Sequence, residues 1–124
     1  MRTKESQEMY LETILHLKNK NKRVKSVNVA EELGYSRASV SRGIHLLINS
    51  NYITMNKDGV IEFTDEGYKL ACSISERHEI LTLALTMLGV DIEEAEKNAC
   101  RIEHVISDKV FNQIKIYIEK YKRK

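Results

Sequence analysis

The stretch Ser26–Asn49, SVNVAEELGYSRASVSRGIHLLIN, decides the fold. Its first part, Val27 to Leu33, predicts a short helix with Ser26 placed to cap its start, and Gly34-Tyr35 supplies a tight turn after it. Ser36 is a second capping residue, opening a helix to about Asn49 whose Val40, Ile44, Leu47 and Ile48 fall on one face. Two short helices joined through a glycine turn describe a helix-turn-helix. Downstream, Tyr52-Ile53-Thr54-Met55 and Val60-Ile61-Glu62-Phe63 read as strands around Asn56-Lys57-Asp58-Gly59, whose Asp-Gly step signals a hairpin. Such a wing completes a winged helix. Upstream, Met9, Leu11, Ile14, Leu15 and Leu17 mark an amphipathic helix from about Lys4 to Lys18, ended by the basic stretch Asn19 to Lys25.

Beyond the hairpin, Thr64 is expected to cap a long helix to about Leu88, broken at Gly89. Asp91 and Glu94 have the capping-box arrangement, each satisfying the other's backbone, and predict a helix to about Ile106. Ser107 then caps a last helix whose Val110, Phe111, Ile114, Tyr117, Ile118 and Tyr121 form an apolar stripe that needs burial. The expected architecture is mainly α: a winged helix-turn-helix with a small β-hairpin wing over residues 1–63, then a helical domain over residues 64–124. The composition agrees, since 124 residues with no proline, five glycines and 42% hydrophobic residues suit a folded, mainly helical chain and exclude a linker-rich or disordered one. Two cysteines, Cys72 and Cys100, without a signal peptide before them, point to a reducing, cytoplasmic setting. The longest apolar run, Ile80 to Val90, is interrupted by threonines and too short to span a bilayer, so no membrane role is expected.

Charge is segregated along the chain. Residues 1–62 carry ten basic and seven acidic side chains, residues 63–108 four and ten, and residues 109–124 six and one. The first segment therefore suits phosphate and the middle one suits cations. On the helix opened by Ser36, the residues Ser36, Arg37, Ser39, Ser41 and Arg42 lie near the N-terminus, where a recognition helix meets base edges and phosphates of double-stranded DNA. Arginine forks onto guanine or clamps phosphate, and hydroxyls suit phosphate oxygens. Lys57 of the wing, with Arg2 and Lys4, is expected to touch phosphate only. The plainer reading makes all of these capping serines and solvated cations, and the hairpin that follows favours DNA.

A second cluster carries different chemistry. Cys100, Glu103 and His104 stand at i, i+3 and i+4, which puts a thiol, a carboxylate and an imidazole on one face if the segment is helical. Such mixed donors suit Fe(II), Mn(II), Co(II), Ni(II) or Zn(II) and argue against magnesium and calcium, which take oxygen alone. Three donors leave a coordination sphere incomplete; Met9 and Glu12, at i and i+3 on the first helix, offer a second group and His78 a third. Each has a duller explanation: Met9 as core packing, Cys100 as a small buried hydrophobe, Glu12 as a solvated charge, His78 as a helix-surface residue. His16 and His45 read as surface histidines and Cys72 as packing. Two rivals stay open. One is a small enzyme with Cys100 as nucleophile and His104 as base, although no oxyanion-hole signal accompanies the pair. The other is a metal-independent winged-helix DNA-binding protein or adaptor.

The chain resembles the iron-dependent repressor family, through Glu8-Met9-Tyr10-Leu11-Glu12-Thr13-Ile14, Val29-Ala30-Glu31-Glu32-Leu33, Arg77-His78-Glu79-Ile80-Leu81, and above all Ala99-Cys100-Arg101-Ile102-Glu103-His104-Val105-Ile106-Ser107-Asp108. The resemblance implies a homodimeric, metal-activated repressor of metal-uptake genes, with an N-terminal winged helix, a helical metal-binding and dimerisation domain, and a palindromic operator. By the same resemblance Met9, Cys100, Glu103 and His104 match the activating ligands of the iron-responsive branch. Glu12 and His78 match ligand positions of the manganese branch, and His78 also matches an ancillary histidine of the iron branch. Thr82 stands where the iron branch carries an ancillary carboxylate and Arg37 where several members carry proline, so neither an ancillary site nor an operator sequence is carried over. Thiolate and thioether donors favour Fe(II), with Mn(II) the alternative; Zn(II) binds such a set more tightly than either, and Co(II) or Ni(II) would occupy it in vitro. The implied switch is a metal that ties the first helix to the segment bearing Cys100, Glu103 and His104, setting two recognition helices about 34 Å apart on the duplex.

Overall fold

Helix α1 spans Arg2–Lys20, α2 Ser26–Leu33 and α3 Arg37–Asn49; a hairpin of β1 (Ile53–Met55) and β2 (Ile61–Phe63) follows, then α4 (Asp65–Met87), α5 (Ile92–Ile102) and α6 (Asp108–Lys122). This computed structural model describes residues 2–20 and 23–122, and the side chains of residues 5–20 and 23–121. Arg2 and Lys4 therefore lie outside the described side chains. Packing divides the chain into two compact units, residues 1–72 and 73–124. The division falls inside α4 because Leu70, Ala71 and Cys72 pack into the first core.

In the first unit, Leu11 and Ile14 of α1, Val29 of α2, Val40, Ile44 and Leu47 of α3 and Ile53 and Ile61 of the hairpin are all fully buried. Each such side chain contributes about 1.5–3 kcal/mol relative to exposure, which outweighs the weak intrinsic propensity of eight-residue α2. The turn between α2 and α3 is built on Gly34 at φ 70°, whose N–H donates to the Ala30 carbonyl at 2.9 Å; a β-carbon would strain that left-handed position. Ser36 caps α3 as its spacing predicts, its Oγ accepting from the Ser39 N–H at 3.1 Å. At α2 the expectation needs correcting. Lys25, not Ser26, is the N-cap residue, and Asn28 Oδ1 accepts from the Lys25 N–H at 2.8 Å. Asn28 can reach back over one turn, which leaves Ser26 free to enter the helix.

The wing is antiparallel, with Thr54 opposite Glu62, and is shorter than the apolar runs that predict it. Asn56 Oδ1 closes its tip by accepting from the Asp58 and Val60 N–H groups, both at 2.9 Å. Its base is fixed twice: the Ile61 N–H donates to the Val24 carbonyl at 2.8 Å, and Lys18 Nζ donates to the Ile61 carbonyl at 3.0 Å. Where the hairpin meets α4, Thr64 caps the helix by accepting from the Gly67 N–H at 3.0 Å. The two backbones approach so closely there that a β-carbon on Gly67 would sit 1.8 Å from the Tyr52 carbonyl oxygen.

The second unit has a smaller core of Leu81, Ala99 and Phe111, flanked by Ile80, Ile102, Ile106 and Ile114. Lys115 of α6 meets Glu76 of α4 at 2.7 Å, and that hydrogen bond, with the charge behind it, holds the ammonium above the usual lysine range. The apolar stripe of α6 is only partly covered. Phe111 and Ile118 are buried, whereas Val110, Tyr117 and Tyr121 are exposed. A groove of about 480 Å³ runs along this unit, lined by Leu81, Leu85, Leu88, Ile106, Ile114 and Tyr117 among others. Leu88 at its edge is 80% exposed. No described helix is long and apolar enough to cross a membrane.

Candidate metal centre and nucleic-acid interface

Asp91 opens α5 as expected, Oδ2 accepting from the Glu94 N–H at 3.3 Å. Glu94 does not complete the box. Its carboxylate instead accepts from Asn98 Nδ2 at 3.3 Å, while the same amide donates to the Glu94 carbonyl at 2.8 Å. The helix also ends at Ile102 rather than near Ile106. Cys100 therefore lies on α5 while Glu103 and His104 occupy the turn after it, so the three do not share one continuous helical face. Glu103 keeps a helical bond to the Ala99 carbonyl at 2.9 Å as it leaves.

A side chain to which the sequence gives no role of its own meets that turn. Arg77 of α4 donates through Nη1 to the carbonyls of Glu103 at 3.3 Å and Ile106 at 2.9 Å, and through Nη2 to the Asp108 carboxylate. Its guanidinium lies 5.3 Å from the centroid of the Phe111 ring. Carbonyls without a helical partner at the end of α5 and in the turn after it are thus taken by a planar fork of donors. Only its place beside His78 marks Arg77 in the sequence. Arg77→Met, which keeps the stem and removes the donors, should cost the second unit about 2 kcal/mol in urea unfolding and speed amide exchange from Glu103 to Ile106. Unchanged exchange at those amides would show that the turn does not depend on the arginine.

The turn carries Glu103 into the interior, where it is 1% exposed. His78 Nδ1 lies 2.7 Å from Oε1, and His104 Nε2 lies 3.4 Å from Oε2. Oε2 has no hydrogen-bond partner despite its burial. A carboxylate oxygen withdrawn from water without a hydrogen bond is costly, and a bound cation is one species that would offset that cost. Two imidazoles and a carboxylate suit a borderline divalent transition ion, and the all-oxygen preference of magnesium and calcium does not match them. The residues present fit such an ion. Cys100 is exposed on α5.

Met9 and Glu12 are half-buried on α1 in the first unit. Met9 Sδ accepts from the Tyr35 hydroxyl at 3.8 Å, and its carbonyl accepts from Thr13 Oγ1 at 2.9 Å. In the same unit Ser36, Arg37, Ser41 and Arg42 of the helix-turn-helix are exposed, as is Lys57 at the wing tip, while Ser39 is half-buried. Ser36 Oγ and Arg42 Nη2 both donate to Ser39 Oγ, at 3.0 and 3.4 Å, so part of the hydroxyl set is occupied with capping. Burial, and then Tyr35, push the Tyr10 phenol above its usual range, and the positive charge of Arg42 opposes them.

Comparison with known proteins matches the two halves separately. Residues 2–61 match the iron dependent repressor N-terminal DNA binding domain, and residues 64–124 match the iron dependent repressor metal binding and dimerisation domain. An uncharacterized HTH-type transcriptional regulator of Methanocaldococcus jannaschii is 31% identical over 122 residues, 97% of this chain and 98% of that protein. The diphtheria toxin repressor of Corynebacterium glutamicum is 34% identical over 104 residues, 83% of this chain and 46% of that protein. The chain thus spans about half the length of the diphtheria toxin repressors it matches. Among solved structures, the metal-dependent transcriptional regulator MtsR superposes with a TM-score of 0.84 at 24% identity, over 91% of this chain and 53% of that one. A hypothetical protein of Sulfolobus solfataricus gives 0.71 at 19% identity, over 97% and 90%. These two likenesses speak to the fold. Because two family models in their usual order cover nearly every residue, the chain belongs to the iron-dependent repressor family.

Proposed function

We propose that this chain is a metal-dependent transcriptional repressor of metal-uptake genes, acting in the cytoplasm as a homodimer on a palindromic operator, with Fe(II) the favoured activating ion and Mn(II) the alternative. The observation that carries the reading is the buried Glu103 carboxylate between His78 and His104, one oxygen of which lacks a hydrogen bond. His78, Glu103 and His104 are the proposed donors of the second unit. Met9, Glu12 and Cys100 are further proposed donors, supported by the family relationship. Bound there, a divalent ion supplies the positive charge that a buried carboxylate needs and raises the free energy of any arrangement that parts its ligands.

The rest falls to the chain's own side chains. Arg37 and Arg42 stand exposed on α3 to meet the duplex, Ser36 and Ser41 suit phosphate oxygens, and Lys57 extends the contact from the wing. A second copy would cover the apolar groove bordered by Leu85, Leu88 and Tyr117, where Leu88 is 80% exposed.

The test is a titration of duplex DNA from upstream of the protein's own coding region. Binding is followed by anisotropy in chelator and then in anaerobic Fe(II), Mn(II) or Zn(II), with the mass of the complex read by sedimentation. Affinity should rise by about 5- to 150-fold with metal, the range of ordinary coupling energies, with two chains per duplex. Equal affinity in chelator would make the protein a metal-independent binder. No affinity for any duplex would make it an adaptor.

A further inference from the structure

The outward face of α3 is not the face that its chain order suggests. At about 100° per residue, the buried set Val40, Gly43, Ile44 and Leu47 fixes the inner side. The middle of the opposite side is then the series Ala38, Arg42, His45 and Asn49, at i, i+4, i+7 and i+11, all exposed. Ser39 falls at its margin and Ser36 precedes the helix as its cap, and their hydroxyls are spent on each other and on the cap. His45 lies one turn beyond Arg42, centred on the face that a helix lying in the major groove turns toward base edges.

Its ring is also held. Nδ1 lies 2.7 Å from the Ser41 carbonyl oxygen. A carbonyl only accepts, so Nδ1 carries the hydrogen, and the neutral ring is left with its lone pair on Nε2, across the ring from the helix backbone. A histidine fixed in this way presents one acceptor and no competing donor. In the major groove the donors that complement it are the exocyclic amino groups, N6 of adenine and N4 of cytosine. Guanine and thymine offer acceptors at the corresponding positions.

We propose that His45 is a specificity-determining residue that reads an amino-bearing base in each half-site through Nε2. The inference rests on the proposed reading of the chain as a DNA-binding dimer and adds a base contact to it. Arg42, on the same face, suits a neighbouring guanine. Because a neutral imidazole displaces no counterion, its contribution belongs to sequence preference and leaves the electrostatic part of the affinity alone.

The experiment is selection of the full chain, loaded with Mn(II), on a randomised duplex library at pH 8. Anisotropy then follows on the selected duplex and on its single-base variants. The parent should prefer adenine or cytosine at one position per half-site by about tenfold or more. His45→Ala should flatten that position to less than about threefold while leaving the others, the salt dependence and the thermal melt as in the parent. His45→Gln, whose amide also accepts and donates, should restore a preference for an amino-bearing base. Arg42→Ala should flatten a different position. If His45→Ala selects the same bases as the parent, the inference is wrong and the DNA-binding reading stands. If the parent selects no sequence under any metal condition, both fall.

Discussion

Glu103→Gln is expected to lower divalent-ion affinity by about two orders of magnitude or more, a loss of about 3 kcal/mol per site. The substitution keeps the shape and buried position of the side chain but removes its negative charge, and a neutral amide is a poorer ligand than a carboxylate for a divalent transition ion. The free amide also supplies a donor, so the turn itself should hold and the metal-free protein should melt close to the parent. Competition for Co(II) or Mn(II) against a chromophoric chelator reads the affinity directly, and the DNA titration in the presence of metal should then resemble the chelated parent. Parental affinity in the Gln variant would remove Glu103 from the ligand set, and with it the observation on which the functional reading stands.

The second large effect is expected at a place that carries no chemistry. Gly67→Ala would drive a methyl group to within 1.8 Å of the Tyr52 carbonyl oxygen, a backbone atom that has no rotamer to adopt. Tyr52 is tied in turn, its carbonyl accepting from the Thr64 N–H at 3.0 Å. Relief requires the start of α4 to move off the wing and forfeits the Thr64 cap. We expect a loss of about 3 kcal/mol or more from the first unit, which corresponds to a fall in its melting temperature of about 12 °C or more. Thermal unfolding by circular dichroism checks it; a melt within a degree or two of the parent would show that the approach relaxes at little cost.

The winged helix was legible because its punctuation is local. Ser36 followed by Ser39, glycine between two short helices, and the Asn56 to Gly59 turn each act over three or four residues, and the structure honours all of them. Asn28 shows the limit of that kind of reading, since two neighbouring residues can each cap and only the backbone decides between them. The region around Glu103 was legible in its chemistry and not in its shape. Helical periodicity continues through Val105 and Ile106, so nothing in the local pattern stops α5 at Ile102. In the turn that follows, a guanidinium from another helix takes the carbonyls of Glu103 and Ile106, a contact that local periodicity does not show. The burial of Glu103 has the same character, because a carboxylate reads as solvated until tertiary structure closes over it. His45 is the converse case. The helical projection that singles it out uses only the sequence and the spacing of its buried neighbours, whereas position along the chain favours the first turn alone.

Ile61 has both of its outward backbone groups occupied, the amide by Val24 and the carbonyl by Lys18. That removes one donor and one acceptor from the β2 edge, on which an incoming peptide would otherwise align. The exposed edge of a small two-stranded sheet is a template on which other chains can pair. Here part of that edge is already stitched, by a lysine that also meets Glu62 and so keeps charge at the border, which makes it a poorer template for a neighbouring strand.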